Sequence, residues 1–403
     1  MRSCGKLADM RVKNNKFYIG GASAEELARR FGTPLYVYDK KMILARAGEL
    51  RRALPRANFH YACKANTNPE VLKIIRGAGF GVEAVSLGEV EIALRAGFKP
   101  KEISFTCSNV EVKELRVVAK RGIFIHLDSL GQLETFGRLK LGREVSLRVN
   151  QGIGAGHHSH VITGGPESKF GIDITQLGRA RVLARKYGLK VTGLQQHIGS
   201  NVLEASILLR ALRILLKTAL NFPDLNTMDF GGGFGVPYWP GEKRLDIAEF
   251  GRTAQKELER FEHEYGRKIR VSFEPGRYLV AEAGTLLVTV TDIKENPSRT
   301  FVGVNSGFNH LIRPAMYGAY HEIVNASRVG GKKVKVTVAG NVCESGDVFA
   351  KDRMLSKCRV GDMLAILNAG AYGYTMASHY NSRPLPAEVL VNGNRVKIIR
   401  KSI

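Results

Sequence analysis

The sequence lacks the features that would place the protein in a membrane or in an oxidising compartment. None of its apolar runs approaches the roughly 20 residues of a membrane span. The first 16 residues have no apolar stretch behind their basic side chains, so we do not expect a secretory signal. The five cysteines are widely spaced and form no Cys-x-x-Cys pair, which favours free thiols in a reducing compartment. We therefore expect a cytoplasmic protein.

A basic patch interleaved with aromatic residues is also missing, although the chain is strongly basic. There are 61 Lys and Arg residues against 37 Asp and Glu residues, which gives a net charge of +24 and raises the question of nucleic-acid binding. The densest basic groups are short and isolated: Arg51-Arg52, Lys332-Lys333 and Arg400-Lys401. We expect a solvated basic surface and no nucleic-acid partner.

From residue 58 onward, short apolar runs typical of strands alternate with amphipathic stretches typical of helices. Eight such runs are found, at 59–62, 81–85, 103–106, 123–127, 145–149, 191–197, 226–230 and 270–274. Eight strands in alternation with helices predict an α/β fold, a (β/α)8 TIM-like barrel over residues 38–280. An open doubly wound sheet is the alternative. However, the glycine-rich segment at 231–236 has Val236 where a dinucleotide-binding fingerprint has its third glycine.

After about residue 280, strand-like runs follow one another without long helices between them. The runs at 388–391 and 395–399 flank Asn392-Gly393-Asn394, which is a hairpin-turn signal. This succession of strand-like runs predicts a C-terminal all-β domain, sandwich-like or barrel-like, of residues 281–403 together with residues 1–37. Near the N-terminus, Ser23 with Glu26 three residues later predicts a capping box that opens a helix over residues 24–31.

The carboxyl ends of the predicted barrel strands carry chemically distinctive residues. They are Lys64 after the first strand, His197 and Ser200 after the sixth, Gly232 and Gly233 after the seventh, and Glu274, Pro275, Gly276 and Arg277 at the eighth. Taken alone, three glycines are most often a tight turn, and a lone histidine is most often structural. Because TIM barrels place their active sites at this end of the strands, the joint occurrence of these residues favours a site on one rim.

Each of these groups would have a role around pyridoxal 5'-phosphate (PLP). The Lys64 amine would react with the aldehyde of the cofactor. The glycine-rich loop, Ser200 and the backbone of Gly276 and Arg277 would donate hydrogen bonds to the phosphate. Glu274 would keep the pyridine nitrogen protonated, and a histidine would stack on the ring.

Several segments resemble known sequences. YACKAN at 61–66, HIGSN at 197–201, DFGGGF at 229–234 and EPGR at 274–277 resemble the fold type III PLP-dependent amino acid decarboxylases. RPAMY at 313–317, CESGD at 343–347 and GAYGYTMASHYNSRP at 370–384 make nearly the whole chain similar to the diaminopimelate decarboxylase family. The resemblance implies decarboxylation of meso-2,6-diaminopimelate to L-lysine and CO2, the final step of lysine biosynthesis.

The resemblance also implies roles for individual residues. The expected catalytic residues are Lys64, Cys343 and His197. The expected cofactor-binding residues are Lys64, His197, Ser200, Gly232, Gly233, Glu274, Pro275, Gly276, Arg277 and Tyr372. The expected substrate-binding residues are Arg277, Arg313, Tyr317, Glu344 and Tyr372. Cys343 and Glu344 would arrive from a partner subunit, so the family implies a homodimer with shared active sites in which the β domain contributes to the site and to the interface.

The chemistry of individual residues distinguishes diaminopimelate decarboxylation from the alternative functions. Diaminopimelate carries a second amino acid head, for which Arg313 would supply a cation and Glu344 an anion. A decarboxylase of the same fold acting on ornithine, arginine or carboxynorspermidine would not need both. A racemase of the same barrel would place an arginine at the pyridine nitrogen where this chain has Glu274. A non-catalytic PLP-binding protein would typically lack the β domain.

Some points stay open in the sequence. Either Cys343 or Lys64 is suited to return a proton to Cα after CO2 leaves. Glu83 stands where the family usually has an aspartate, so the polar network behind the lysine is expected to differ. Cys63 is expected to pack in the core. The His157-His158-Ser159-His160 group has no supporting carboxylate or thiol spacing, so we predict no metal site.

Overall fold

The computed structural model describes residues 12–13, 15–106, 108–154, 164–165 and 167–403. Cys4, Cys107 and the His157–His160 group lie outside the described residues. The described chain divides into two compact units. The first, here called the barrel unit, contains Arg46–Gly235 and Leu245–Arg277. The second, here called the β unit, contains the residues up to Ala45 together with Val236–Arg244 and Tyr278–Ile403.

Strands make up much of both units. In chain order they are β1 (Val12–Lys13), β2 (Lys16–Ile19), β3 (Ala22–Ser23), β4 (Leu35–Asp39), β5 (Asn58–Ala62), β6 (Gly81–Ala84), β7 (Ile103–Thr106), β8 (Phe124–Leu127), β9 (Glu144–Asn150), β10 (Ile172–Asp173), β11 (Lys190–Gln195), β12 (Thr227–Asp229), β13 (Arg270–Phe273), β14 (Gly284–Asn296), β15 (Arg299–Val304), β16 (Ile323–Asn325), β17 (Lys333–Ala339), β18 (Val348–Ser356), β19 (Met363–Ile366), β20 (Ala387–Asn392) and β21 (Arg395–Arg400).

The helices lie mainly between the barrel strands. They are α1 (Ala24–Phe31), α2 (Lys40–Ala53), α3 (Pro69–Gly77), α4 (Leu87–Arg95), α5 (Val112–Lys120), α6 (Leu130–Arg138), α7 (Leu177–Lys186), α8 (Ala205–Ala219), α9 (Ile247–Tyr265), α10 (Arg277–Val280) and α11 (Arg313–Tyr317). Short 3-10 turns occur at Cys63–Ala65, Pro100–Glu102, Ile174–Gln176, Tyr374–Met376 and Tyr380–Ser382.

Eight parallel strands close into a barrel. Neighbours follow in the order β5, β6, β7, β8, β9, β11, β12, β13, and β13 pairs with β5 to complete the ring. The short strand β10 pairs with β9 in addition. The predicted (β/α)8 barrel is therefore confirmed, and the predicted strand limits differ from the observed ones by at most two residues.

Capping residues fix where the barrel loops end and the helices begin. The Asn68 side chain accepts a hydrogen bond from the backbone at the start of α3, where Pro69 takes the first helical position. Ser86, Ser129 and Asp246 cap α4, α6 and α9 in the same way. These caps set the first residue of the helices that follow β5, β6, β8 and β12.

The predicted capping box at Ser23 is wrong. Helix α1 begins at Ala24 as expected, but the Ser23 side chain makes no capping hydrogen bond. Ser23 is also the last residue of β3, where it pairs with Tyr18, so its conformation is set by the strand.

The β unit is built on a sheet with the order β18, β17, β15, β14, β4, β20, β21, to which β19 and β16 are added beside β14. Both faces of this sheet are covered. Tyr36 and Tyr38 of β4 belong to one apolar core, whereas Leu35 and Val37 belong to the other, as the alternation of a strand requires. The predicted hairpin is confirmed, since Asn392 pairs with Arg395 across a two-residue turn.

Cys63, Cys343 and Cys358 are free thiols. Cys63 is fully buried, as expected, and burial raises its pKa well above that of an ordinary thiol. Within the described part of the chain, no helix combines the length and the apolar composition needed to cross a bilayer.

Candidate active site

Lys64 lies directly after β5, on the 3-10 turn Cys63–Ala65. Its Nζ is 2.5 Å from Oε2 of Glu83. Glu83 belongs to β6, and its side chain lies in the barrel interior and is only 2% exposed. The Lys64 side chain is about one-third exposed, at 35%. The Glu83 carboxylate therefore reaches the amine directly and holds it at the rim.

Glu274 follows β13 and is buried. Nε2 of Gln195, at the end of β11, lies 3.2 and 3.1 Å from its two carboxylate oxygens. Burial, and after it the negative charges of Asp229 and Glu83, raise the pKa of Glu274 well above its ordinary value. A carboxylate in such a setting is stabilised by a cation, and a protonated ring nitrogen would supply one. The residues present therefore fit the pyridine end of PLP.

His197 lies two residues after β11. Its Nδ1 accepts a hydrogen bond of 3.2 Å from the backbone N–H of Gly232. Burial, and then the positive charges of Lys64 and Arg148, lower the pKa of His197 well below its ordinary value. A neutral imidazole with one nitrogen fixed by the glycine loop is suited to lie flat against a ring.

The glycine-rich loop after β12 has no room for side chains. A Cβ atom at Gly231 would lie 2.1 Å from the carbonyl oxygen of Gln196, and one at Gly232 would lie 2.3 Å from that of Glu274. Gly233 has a φ of 99°, which L-residues rarely adopt. Such a loop brings backbone N–H groups close to a ligand, so it fits a phosphate group.

Arg277 completes the rim at the start of α10. Its side chain is buried, and Nη2 and Nε lie 2.9 and 3.2 Å from Oγ of Ser200. A Cβ at Gly276 would lie 3.1 Å from that of Ala62, so the backbone passes close to β5 here. A cation, a hydroxyl and tightly packed backbone are the groups expected around an anion.

Arg313 opens α11 in the β unit and is 1% exposed. Its Nη1 donates to Nε2 of His321 at 2.8 Å, and its guanidinium carbon lies 4.6 Å from the centre of the Tyr238 ring. Nδ1 of His321 lies 2.8 Å from the carbonyl oxygen of Leu367, which assigns the proton to Nδ1 and leaves Nε2 to accept. The guanidinium is thus fixed in orientation.

The CESGD segment forms a turn held by its last residue. Asp347 is buried and accepts the backbone N–H groups of Val342 and Phe308, at 2.7 and 2.6 Å. Cys343 is anchored through its own N–H to Oδ1 of Asn381 at 2.7 Å. The Cys343 and Glu344 side chains are exposed. The turn therefore presents a thiol and a carboxylate on the outside of the β unit.

Two further predicted site residues, Tyr317 and Tyr372, also belong to the β unit. Tyr317 ends α11, four residues after Arg313, and is half-buried. Tyr372 is also half-buried and has a φ of 55°, an uncommon conformation for a tyrosine that is often found at functional sites.

The predicted residues thus divide between the units. The barrel unit brings together Lys64, His197, Ser200, Gly232, Gly233, Glu274, Pro275, Gly276 and Arg277, whereas Cys343, Glu344, Arg313, Tyr317 and Tyr372 belong to the β unit. Sequence reasoning missed the residues that fix these groups in place, namely Gln195, Asp229, His126, His321 and Tyr238. Strand alternation could have placed Gln195 and Asp229 inside the barrel, but it does not identify their partners.

Comparison with known proteins agrees with this geometry. Residues 40–281 match the family model of the pyridoxal-dependent decarboxylases, pyridoxal binding domain. The diaminopimelate decarboxylase of Methanothermobacter thermautotrophicus is 45% identical over 395 residues, which cover 95% of this chain and 92% of that protein. The Escherichia coli diaminopimelate decarboxylase is 36% identical over 400 residues, or 94% of each protein.

Solved structures give the same result. The crystal structure of the diaminopimelate decarboxylase from M. jannaschii in co-complex with L-lysine superposes with a TM-score of 0.90 at 32% identity, and the match covers 97% of this chain and 94% of that one. The structure of the Helicobacter pylori diaminopimelate decarboxylase complexed with L-lysine gives a TM-score of 0.86 at 33% identity, with 94% of this chain and 96% of that chain covered. The chain belongs to the pyridoxal-dependent decarboxylases and, within them, to the diaminopimelate decarboxylase family.

Proposed function

We propose that this protein is a PLP-dependent carboxy-lyase that converts meso-2,6-diaminopimelate to L-lysine and CO2, as the final step of lysine biosynthesis. The observation that carries the proposal is the placement of Lys64 and Glu274 on one barrel rim in a chain that matches diaminopimelate decarboxylases over almost its full length. When bound, PLP supplies an electron sink for the electron pair that remains on Cα after CO2 leaves.

Lys64 is prepared to react with a carbonyl group. An ammonium group must lose a proton before its nitrogen can attack, and Oε2 of Glu83 lies at hydrogen-bond distance from Nζ to accept that proton. Whereas Glu83 would remove a proton from Lys64, the Glu274 carboxylate would keep a proton on the ring nitrogen. His197 would cover one face of the ring and exclude water from it.

The phosphate of PLP would be held by Ser200, Gly232, Gly233, Pro275, Gly276, Arg277 and Tyr372. The buried guanidinium of Arg277 supplies the positive charge, and its contact with Ser200 places a hydroxyl beside it. The glycine backbone supplies N–H donors without the steric hindrance of side chains.

The distal amino acid head of the substrate would be recognised by charge. Arg313, which is fixed by His321 and Tyr238, is suited to bind the distal carboxylate in a bidentate manner. Glu344 would bind the distal ammonium group, while Arg277, Tyr317 and Tyr372 would contact the rest of the substrate. Substrates without a second amino acid head would leave the Arg313 guanidinium and the Glu344 carboxylate without their ligands.

We further propose a cytoplasmic homodimer with shared active sites. In this assembly residues 38–280 hold the cofactor, while residues 1–37 and 281–403 form the β domain that reaches the partner's site. The exposure of Cys343 and Glu344 on an anchored turn supports this arrangement. The partner subunit's Cys343, or Lys64 of the same chain, would return the proton to Cα.

The direct test is CO2 release by the purified protein with meso-diaminopimelate, compared with lysine, ornithine and arginine. Release from diaminopimelate alone supports the proposal, and preference for any of the other three contradicts it. Lys64→Ala should abolish both the visible absorption band of the bound cofactor and the turnover. Lys73→Ala is the matched control, because this lysine is in the same unit but is exposed and paired with Glu70. A borohydride-reducible cofactor link that survives in Lys64→Ala would show that another residue holds PLP.

A further inference from the structure

A cavity lies at the opposite end of the barrel from Lys64. Its volume is about 810 Å³, and it is lined by the first residues of seven of the eight barrel strands. Because all eight strands are parallel, this mouth is at their amino ends. Lys101, Glu102, Glu144 and Arg270 provide charges at the mouth. The cavity therefore gives solvent a route into the barrel from behind the cofactor site.

The inner part of the cavity reaches His60, His126 and Asp229. Nδ1 of His60 is 3.8 Å from Oδ2 of Asp229. Nδ1 of His126 lies 2.8 Å from Oγ of Ser146, which leaves Nε2 as its free nitrogen. Within the part of the chain that the structure describes, neither His60 Nδ1 nor His126 Nε2 has a hydrogen-bond partner, although both atoms are buried. Buried nitrogens that face a polar cavity are sites for ordered water.

The fold makes room for this arrangement. A Cβ atom at Gly81 would lie 2.5 Å from Cδ2 of His60, so the glycine allows the imidazole to lie inside the barrel.

Asp229 connects this cavity to the cofactor site. Oxygen or nitrogen atoms of His126, Asp229 and Glu274 lie within 4.8 Å of one another, and all three side chains are buried. The other charges that act on Glu274 are Glu83 from β6, Lys64 after β5 and Arg148 from β9. Burial lowers the pKa of His126 to about 4, so this histidine is neutral near neutral pH and does not balance the two carboxylates.

We propose that Asp229 is a positioning residue whose negative charge keeps a proton on Glu274, and that this proton exchanges with water in the cavity. This inference rests on the proposed function only in so far as Glu274 faces the ring nitrogen of PLP. Two carboxylates this close together in a buried site do not both ionise readily, so in the protein without cofactor Glu274 keeps a proton. On cofactor binding that proton would leave through the cavity, and the Glu274 carboxylate would then pair with a protonated ring nitrogen.

The proton count of cofactor binding tests this directly. Isothermal titration of the apoprotein with PLP, in buffers of different ionisation enthalpy, gives the number of protons released on binding. In Asp229→Asn, Glu274 loses the neighbouring negative charge that helps to raise its pKa, so its pKa should fall. Because burial still raises the pKa, a larger fraction of Glu274, rather than all of it, is then ionised in the apoprotein, so proton release should decrease by up to about one proton.

Glu144→Gln is the matched control. It also neutralises one carboxylate that lines the cavity, but this residue is exposed at the mouth, at the start of β9. Its proton count should equal that of the unmodified protein. An infrared titration of the protonated carboxyl group in the apoprotein provides a second measurement, in which the band should disappear at lower pH in Asp229→Asn.

Two results would overturn the inference. One is an unchanged proton count in Asp229→Asn protein that binds PLP. The other is stoichiometric Zn2+ uptake by the metal-free protein that is lost in His126→Asn, because a cation and not a proton would then balance the carboxylates. Neither readout involves turnover. A protein that shows the expected proton count but releases no CO2 from diaminopimelate would contradict the proposed function and leave this inference standing.

Discussion

Replacement of Gly232 by alanine should weaken cofactor binding without unfolding the protein. Gly232 lies between two groups that we assign to the cofactor, since its N–H donates to His197 and its Cα faces the backbone of Glu274. A Cβ would lie 2.3 Å from the Glu274 carbonyl oxygen, which is more than 1 Å too close for carbon and oxygen. Forcing an extra carbon into a packed site typically costs about 1–3 kcal/mol. We therefore expect the Kd for PLP to rise by about 5- to 150-fold.

Titration of the apoprotein with PLP, followed by absorbance, measures this Kd. Gly178→Ala is the matched control because it is the same substitution in the same unit, within α7, where a new Cβ would meet nothing within 4 Å. That variant should keep its Kd and gain up to about 1 kcal/mol of stability from helix propensity. Equal PLP affinity in Gly232→Ala and the unmodified protein would refute the assignment of this loop to the cofactor site.

Three further outcomes are expected. Arg313→Lys should raise KM for diaminopimelate about 10-fold or more with a smaller effect on kcat, since lysine cannot form the bidentate contact; unchanged steady-state constants would remove Arg313 from the substrate site. Where Lys64→Ala and Cys343→Ala have each lost turnover alone, mixing them should restore about a quarter of the activity through hybrid dimers, and no recovery after verified subunit exchange would argue against a shared site. In the apoprotein, the raised pKa of Glu274 contributes stability that is fully present below its ordinary pKa of 4.5 and is lost as the pH rises through the folded value. Glu274→Gln should therefore reduce the loss of stability in urea as the pH rises above about 5, by about 1.4 kcal/mol for each unit by which the pKa is raised.

Local sequence signals were sufficient for the barrel. Period-two and helical patterns, together with glycine and proline at loop boundaries, placed all eight strands, and the residues after the strands marked the rim. In the β unit these signals are weaker: the segment of β18, VFAKDRMLS, contains charges that hide the alternation of a strand. Local signals also failed at Ser23, where strand pairing took precedence over the capping motif.

Long-range contacts in the site could not be predicted from spacing. The pairing of Lys64 with Glu83 depends on the register between β5 and β6. The cluster of His126, Asp229 and Glu274 depends on which side chains, in or directly after three separate strands, lie at the same height in the barrel. The fixing of Arg313 by His321 and Tyr238 depends on how segments far apart in the chain pack within the β unit. Sequence patterns indicate on which face of a strand a side chain lies. They do not give the relative heights of neighbouring strands, on which these contacts depend.

The central place of β4 in its sheet affects how the protein must be synthesised. This strand pairs with β14 on one side and β20 on the other, and the bond from Tyr38 to Glu388 spans 350 residues. At about 5–20 residues per second, a ribosome needs roughly 20 to 70 seconds to make that length of chain. During this time a strand with four buried residues has an unpaired edge, which is a hazard for aggregation. The β unit is therefore completed only after the entire barrel has been translated, and β4 keeps an open edge until β20 has been made.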